Sequence, residues 1–289
     1  MNEILTNQGL LSEVPPAIPK QEIITKENVA YYADKMAKWI YGNVVGAKRK
    51  GVILGMSGGV DCSVVARLCQ LGNVETHLVS LPYGTSMNQA ENSSINRARE
   101  FADKFGFRLR TFNIADTVMS MLIDPYEVYD EKDCRSKYAQ QFSLAEANVC
   151  ARIRMNYLYQ MAQVMGCFVI GTGNLSERFT GYFTKWGDGA CDLNPLGWCT
   201  KREVYILAEY LEVPASIINE KPSADLWDGQ SDESELGFSY ECLDEYLIGA
   251  GLGDEIWPGV VEKIITRNQM SKHKLYPIPI FKLHKNITL

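Results

Sequence analysis

The stretch GVILGMSGGVDCSVVARLCQL, residues 51–71, indicates which fold this chain adopts. Its first part, GVILGM, is short, apolar and typical of a buried strand, and its last part, VVARLCQL, has apolar residues at helical spacing. Between them Gly58 and Gly59 stand side by side at the strand-to-helix junction. Glycine is costly in conformational entropy, so this pair indicates a backbone conformation or a close contact that a Cβ would prevent.

A strand, a glycine-rich loop and a helix together form an anion-binding arrangement, because N–H groups at a helix N-terminus point outward and the helix dipole favours negative charge. Ser57 could add a hydroxyl donor. Asp61 would repel a phosphate unless its carboxylate holds a magnesium ion that also contacts the phosphates. The Walker lysine and the full dinucleotide-binding spacing are both missing. The structural alternative is a glycine turn that only caps the helix.

Strand-like and helix-like segments alternate along the chain. Besides the first strand and helix, strands are predicted at residues 74–84, 107–114 and 167–173, and helices at residues 26–44, 90–106, 143–166 and 200–213. The alternation predicts an α/β fold with a mostly parallel, twisted sheet flanked by helices. Ligands of such sheets bind at the carboxyl ends of strands, where the loops GMSGGVD and GTGNLSE both fall.

Composition excludes several classes of function. The 289 residues are 46% hydrophobic and 22% charged, which is typical of a soluble globular protein. The net charge of −6 disfavours general nucleic-acid binding. No apolar run is long enough to span a bilayer, and the N-terminal residues do not resemble a signal peptide, so we expect a cytoplasmic protein. The 8 cysteines include no C-x-x-C pair. Buried, reduced thiols are therefore favoured over disulfides or a zinc site.

The domain organisation is predicted to be simple. Residues 1–20 have the composition of a loose, proline-bearing arm, and residues 21–289 are expected to form a single domain.

A second group of chemically active residues lies in VIGTGNLSERFTGYFTKWGDGACDLNPLGWCTKREV, residues 169–204. Glu177 follows a glycine-bearing turn after a strand and could be a second carboxylate for the metal. Lys185 and Lys201 could contact phosphates, and the aromatic residues Tyr182, Phe183 and Trp186 could stack on a flat ring.

These stretches resemble a known enzyme family. GMSGGVDC resembles the S-G-G-x-D-S loop of the N-type ATP pyrophosphatases, and residues 169–204 resemble the signature of the ammonia-dependent NAD synthetases: G-T-x-x-x-x-E, then G-[FY]-F-T-[KR]-[WY]-G-D, then D-x-x-P. Four further matches follow the family's order: SLPYGT, NVCARIRM, KPSADLWDGQSDESELGFSY and KHKLYPIPIF. The resemblance covers about residues 20–285. It implies the adenine nucleotide alpha hydrolase-like, Rossmann-like version of the α/β fold.

The resemblance implies a ligase reaction in two steps. ATP adenylates the carboxylate of deamido-NAD (nicotinic acid adenine dinucleotide) and releases pyrophosphate, and ammonia then displaces AMP to give NAD. The cofactor implied is Mg2+. This agrees with the chemistry, because a carboxylate is a poor electrophile and magnesium neutralises charge on the leaving pyrophosphate.

The resemblance also implies the roles of individual residues. Asp61 and Glu177 would hold magnesium, and Asp188 and Lys185 are the candidate catalytic residues, with Asp188 orienting or deprotonating ammonium. The ATP-binding residues would be Gly55, Met56, Ser57, Gly58, Gly59, Val60, Asp61, Cys62, Thr172, Lys201 and Ser223. The deamido-NAD-binding residues would be Arg152, Phe183, Lys185, Asp192, His273 and Lys274.

The chain departs from the family pattern at two of these positions. Cys62 stands where the family has serine, and a thiol is a weaker donor than a hydroxyl, so we expect backbone amides to carry most of the binding to the loop. Ser223 replaces the usual threonine and keeps the hydroxyl. The family's two mobile loops beside the substrates correspond here to PYGTSMNQAENS and WDGQSDESELG.

The resemblance implies a homodimer with deamido-NAD sites at the interface and no nucleic-acid or membrane partner. The roughly 50 residues before Gly51 are too few for a glutaminase domain, which leaves a separate glutaminase subunit open. Two alternatives remain. One is another ATP pyrophosphatase, either tRNA-thiolating or of the GMP synthetase type, although thiolation usually needs paired cysteines. The other is a catalytically silent nucleotide-binding protein, which the intact Asp61, Glu177 and Lys185 disfavour.

Overall fold

The computed structural model describes residues 23–84, 93–129, 133–220, 232–249 and 259–279. The predicted N-terminal arm, Ser223 and parts of both predicted mobile loops lie outside the described residues, so those expectations stay predictions.

The described part of the chain contains a parallel four-stranded sheet in the order β3-β2-β1-β4. The strands are β1 Val52–Gly55, β2 Thr76–Ser80, β3 Leu109–Thr111 and β4 Phe168–Ile170. All four fall inside the predicted strand segments, and their parallel pairing confirms the predicted α/β class.

Thirteen helices accompany the strands in the described ranges. Their bounds are α1 Val29–Gly46, α2 Val60–Leu71, α3 Ser93–Phe105, α4 Ala115–Met121, α5 Pro125–Val128, α6 Cys134–Lys137, α7 Ala139–Met165, α8 Leu175–Thr180, α9 Lys201–Tyr210, α10 Ala215–Ile218, α11 Asp232–Leu236, α12 Tyr240–Leu247 and α13 Val260–Leu275. The five predicted helices correspond to α1, α2, α3, α7 and α9.

Two of the predicted helix ends have the expected local causes. The long helix α7 ends at Gly166, which adopts the left-handed conformation with φ of 70° that glycine tolerates without strain. Helix α9 begins after Thr200, whose side chain accepts a hydrogen bond from the Glu203 backbone N–H in a capping box.

Alternating side chains of the central strand β1 face two separate layers of helices. Val52 and Leu54 belong to one buried cluster together with residues of α1, α2, α3 and α9. Ile53 belongs to a second cluster formed with α4 and α7. The sheet is therefore covered on both faces, which explains why its strands are apolar without alternation. A third cluster joins α8, α11, α12 and α13.

The strand order creates a switch point between β1 and β4. From β1 the chain proceeds outward through β2 to β3 and then returns to the opposite side of β1 as β4. Ligands of open α/β sheets bind in the crevice at such a point, at the carboxyl ends of the strands. The loop after β1 and the loop after β4 are therefore brought to the same edge of the sheet.

The cysteines are free thiols; seven are buried and Cys191 is partly exposed. In the part of the chain that the structure describes, no helix is both long enough and apolar enough to cross a membrane.

Two leucines on α2 test how much this packing contributes to stability. Leu68 is 0% exposed and Leu71 is 51% exposed. We expect Leu68→Ala to lower the free energy of unfolding by about 2–5 kcal/mol, because it leaves a cavity in the core. The same substitution at Leu71 should change it by no more than about 0.5 kcal/mol. Urea unfolding of both variants measures the difference, and equal losses would contradict the packing described here.

Candidate active site

The conformation of the loop between β1 and α2 accounts for one of its two adjacent glycines. Gly58 has a φ of +86°, which strains any other residue, and a Cβ there would overlap the backbone carbonyl of Ser94. Gly59 is the N-cap residue of α2 with extended backbone, and a Cβ there would meet only the Ser57 Oγ at 3.4 Å. The missing Cβ is therefore required at Gly58 by the protein itself. The loop is anchored by Met56, whose N–H donates to the Val79 carbonyl at 2.8 Å.

The side chain of Cys62 is turned into the protein. Its Sγ donates to the Gly59 carbonyl at 3.1 Å and lies 3.4 Å from the Ser57 Oγ. The residue is only 3% exposed. Ser63 donates to the same carbonyl at 2.8 Å. Both side chains therefore form hydrogen bonds within the loop. The expectation that backbone amides carry most of the binding stays a prediction.

Three charged side chains meet where α2, α8 and α9 begin. The Lys201 Nζ lies 2.6 Å from the Asp61 Oδ2 and 3.7 Å from the Glu177 Oε1. The Lys201 side chain is only 4% exposed, whereas Asp61 and Glu177 retain 18% and 19%. The structure thus brings together the two predicted metal ligands and a predicted phosphate-binding lysine.

The charges in this cluster depend on one another. Burial and the charge of Asp61 raise the pKa of Glu177 to about 8, against the opposing effect of Lys201. Burial alone would lower the pKa of Lys201, but the two carboxylates raise it overall. Lys201 is therefore held as an ammonium ion, while Glu177 readily takes up a proton when no other cation is near.

Local backbone motifs position the cluster. Asn174 caps α8 in a capping box with Glu177, which fixes the carboxylate against the start of its own helix. The Ser176 Oγ donates to the Asp244 Oδ1 at 2.6 Å and accepts from the Lys201 N–H at 3.0 Å. Asp244 also accepts from the Arg202 N–H at 2.7 Å. The first turns of α8 and α9 are thereby joined through α12.

The cluster fits a magnesium ion by its chemistry. In the described residues no group of three or more histidine, cysteine and acidic side chains forms a dedicated metal cage. Magnesium does not need one, since it usually binds through one or two carboxylates plus phosphate oxygens and water. Asp61 and Glu177 supply two such carboxylates, and the contacts to Lys201 show that their free oxygens already face a common cation.

The residues predicted for the second substrate form a separate group around residues 181–190. The Lys274 Nζ donates to the carbonyls of Gly181 and Phe183 at 2.6 and 2.7 Å and lies 5.2 Å from the Phe183 ring centre. The Lys185 Nζ donates to the His273 carbonyl at 2.6 Å, and the Arg152 Nε donates to the Lys185 carbonyl at 3.2 Å. Five of the six predicted residues are thus connected across α7, this loop and α13.

The two aspartates of this region are placed differently. The Asp188 Oδ1 accepts from the Thr184 N–H at 2.9 Å. The residue as a whole is exposed to solvent, but the protein atoms around its carboxyl are dense enough for burial to raise the pKa of Asp188. The Asp192 Oδ2 accepts from the Val169 N–H at 2.8 Å, so this carboxylate supports strand β4. Thr172 is half-buried in the loop between β4 and α8.

A cavity of about 600 Å³ adjoins this second group. Its lining includes Arg152 from α7, together with Trp186 and the partly exposed Cys191. The cavity supplies an open surface beside the predicted deamido-NAD residues.

Sequence reasoning missed two parts of the site. Asn174 is fully buried and its Nδ2 donates to the Asp61 Oδ1 at 3.0 Å. The second missed part is Tyr240, whose ring centre lies 5.4 Å from the Lys201 Nζ. The Tyr240 hydroxyl donates to the buried Asp232 at 3.0 Å. Asn174 could have been recognised from its place three residues before Glu177, which is a capping-box spacing.

The fold and the cluster together define an α/β enzyme with a glycine-rich loop and paired carboxylates at the switch point of its sheet. A model of the NAD synthase family matches residues 32–278. The chain belongs to the NAD synthase family.

Known proteins similar to this chain carry related names. The NH3-dependent NAD+ synthetase of Archaeoglobus fulgidus is 37% identical over 89% of this chain and 98% of its own length. The solved NMN synthetase of Francisella tularensis is 30% identical with a TM-score of 0.75, covering 90% of this chain and 99% of that one. The NH3-dependent NAD synthetase of Campylobacter jejuni is 25% identical with a TM-score of 0.66, covering 90% and 100%.

The raised pKa of Glu177 predicts how stability changes with pH. Its pKa is about 8 in the folded chain, against an ordinary value of 4.5 for a glutamate carboxyl. Between these values the folded state keeps a proton that the unfolded state has lost, so the free energy of unfolding should fall as pH rises from 5 to 8. Glu177→Gln removes this titration. Urea unfolding at pH 5, 6, 7 and 8 measures the free energy of unfolding of both proteins. As pH rises, the stability of the variant relative to the wild type should increase, and parallel pH profiles would contradict the raised pKa of Glu177.

Proposed function

We propose that this protein forms NAD from deamido-NAD, ammonia and ATP through an adenylated intermediate, releasing AMP and pyrophosphate. One observation carries the proposal. In a chain of the NAD synthase family, Asp61, Glu177 and Lys201 meet beside a glycine-rich loop at the switch point of the sheet.

ATP would bind along the loop after β1. The backbone N–H groups from Gly55 to Cys62 and the positive end of α2 would face its phosphates, with Thr172 from the neighbouring loop and Ser223 as further ligands. Lys201 is kept charged by its two carboxylates. It would therefore be available as a phosphate contact whenever another cation satisfies Asp61 and Glu177.

Asp61 and Glu177 are the residues that would hold magnesium. When bound, the ion would neutralise charge on the departing pyrophosphate. The chain's own contribution is to keep two carboxylates ready in a largely buried site, where electrostatic interactions are stronger than in water. The described site residues provide positioning and charge, and the proposal needs no covalent intermediate with the enzyme.

The second group would hold the carboxylate substrate. Arg152, Lys185 and Lys274 provide positive charge for a dinucleotide phosphate, with His273 and Asp192 as further ligands and the Phe183 ring as a surface for the pyridine. Asp188 would orient or deprotonate ammonium. Its raised pKa suits this role, because a carboxylate that accepts a proton more readily is a better base.

A second candidate substrate is the mononucleotide, nicotinic acid mononucleotide. It is favoured by the similarity in three dimensions to the Francisella NMN synthetase, whose TM-score of 0.75 exceeds the 0.66 of the Campylobacter NAD synthetase. Both reactions amidate the same pyridine carboxylate, and the two substrates differ only in the AMP half of the dinucleotide.

An assay with both substrates tests the proposal. Purified protein would receive ATP, Mg2+ and ammonium with either deamido-NAD or nicotinic acid mononucleotide, and kcat/KM would be measured for each from amide product, AMP and pyrophosphate. We expect a clear preference for deamido-NAD. A preference for the mononucleotide would assign the second activity, and no amide from either substrate would refute both. In a further reaction, glutamine replaces ammonium as the nitrogen source. If no amide forms from glutamine, its use would require a separate glutaminase.

The assembly and location also belong to this proposal. We place the enzyme in the cytoplasm as a homodimer with the deamido-NAD site at its interface. The exposed apolar side chains of α1, which include Tyr31, Trp39 and Val45, are available for such an interface. Light scattering in solution measures the assembly.

Removing one carboxylate should remove the first chemical step. Asp61→Asn takes away the charge that faces the Lys201 ammonium and the proposed magnesium ion. We expect loss of pyrophosphate release with an unchanged circular dichroism spectrum. Asp103→Asn, an exposed position on α3, is the control and should keep wild-type rates. Near-normal pyrophosphate release by Asp61→Asn would contradict the assignment.

Replacing the unusual cysteine should have little effect. In Cys62→Ser the hydroxyl can donate to the Gly59 carbonyl as the thiol does now. One donor exchanged for a stronger one is worth about 1 kcal/mol, so kcat and the KM for ATP should change only a few-fold. Steady-state kinetics at varied ATP give both values. Complete inactivation would show instead that the thiol takes part in the chemistry.

A further inference from the structure

Asn174 makes hydrogen bonds to both candidate metal ligands at once. The residue is 0% exposed and lies in the turn between β4 and α8. Its Nδ2 donates to the Asp61 Oδ1 at 3.0 Å, and its backbone N–H donates to the Glu177 Oε2 at 3.1 Å. Its Oδ1 accepts from the Glu177 N–H at 2.9 Å. One buried residue thus connects two carboxylates that belong to different helices.

These contacts occupy one oxygen of each carboxylate and leave the other facing a shared cation. Asp61 keeps Oδ2 free of Asn174, and Glu177 keeps Oε1. These two oxygens are the atoms that lie 2.6 and 3.7 Å from the Lys201 Nζ. Asn174 therefore fixes the rotation of both carboxylates by bonding the oxygens that do not face the cation.

Helix capping alone does not account for this arrangement. A cap needs only the side-chain oxygen of Asn174, and serine or threonine provides one equally well. The amide N–H that reaches Asp61 on α2 is an additional contact, which the shorter side chain of serine or threonine cannot make.

We propose that Asn174 is a positioning residue that orients the Asp61 and Glu177 carboxylates for a divalent metal ion. The inference rests on the proposed function, in which these oxygens hold magnesium beside ATP. Residues that hydrogen-bond to metal ligands typically change metal affinity by about 10–100-fold when they are removed. Asn174 would act through the carboxylates and need not contact the metal or the substrate.

Calorimetric binding of α,β-methylene-ATP tests this without catalysis, because this analogue cannot be cleaved between its α and β phosphates. Its affinity would be measured with Mg2+ and again with EDTA, and the ratio gives the gain due to the metal. The variants are Asn174→Ser, which keeps the cap, and Asn174→Ala, which loses it. Asn43→Ser is the matched control, since it removes an amide donor that bonds the Trp39 carbonyl at 2.8 Å on α1.

We expect both Asn174 variants to lose about 10–100-fold of the magnesium-dependent gain while their affinity in EDTA stays unchanged. Asn174→Ser should melt close to the wild type and Asn174→Ala at a lower temperature, which separates orientation from capping. Asn43→Ser should keep the full gain. If Asn174→Ser does not fold, Asn174→Thr retains the cap with more volume and gives the same readout.

A full magnesium-dependent gain in Asn174→Ser or Asn174→Thr would overturn the inference and leave Asn174 as a helix cap only. A wild-type protein without any gain would overturn it together with the metal assignment. Amide formation in the substrate assay is measured independently, so failure of the proposed reaction remains distinguishable from failure of the role of Asn174.

Discussion

The burial of the Lys201 ammonium is the constraint on which the rest of the site depends. A lysine head group that is almost removed from water is strongly unfavourable unless opposite charges and hydrogen bonds offset the lost hydration. The Asp61 carboxylate pairs with it at 2.6 Å and Glu177 lies 3.7 Å away, but these two residues belong to α2 and α8, whereas Lys201 begins α9. The cluster therefore forms only when the fold has brought the first turns of these three helices together, and the apolar core and the polar site stabilise one another.

The strand order explains why these three helices meet. Strands β1 and β4 are neighbours, although more than 100 residues separate them in the chain, and each is followed by a helix that carries one carboxylate. Asp61 and Glu177 lie in the first turns of their helices, where the dipole favours negative charge. Lys201 also lies at a helix start, where the dipole disfavours it, so its position depends on the two carboxylates. A phosphate would be favoured by both the lysine and the positive end of α2.

Much of this could be predicted from the sequence, because the informative residues follow local rules. The strand–glycine–helix pattern predicted β1 and α2, with Asp61 in the first turn of that helix, and the Thr200 cap predicted where α9 begins. The contact between Asn174 and Asp61 could not be predicted, since it depends on β4 lying beside β1 rather than on any local pattern. Helix α13 was missed for a related reason. Its buried positions include the polar residues Asn268 and Ser271, and they are defined by contacts with distant residues such as Phe179.

The inward orientation of Cys62 has a consequence for the chemistry of thiols. A cysteine beside a nucleotide would ordinarily make an enzyme sensitive to oxidants and alkylating reagents, because such reagents attack accessible thiolates. Here the sulfur is buried and its proton is donated to the Gly59 carbonyl, so it is not accessible to such reagents. The protein can therefore keep a cysteine in place of serine without turning its glycine-rich loop into a redox sensor.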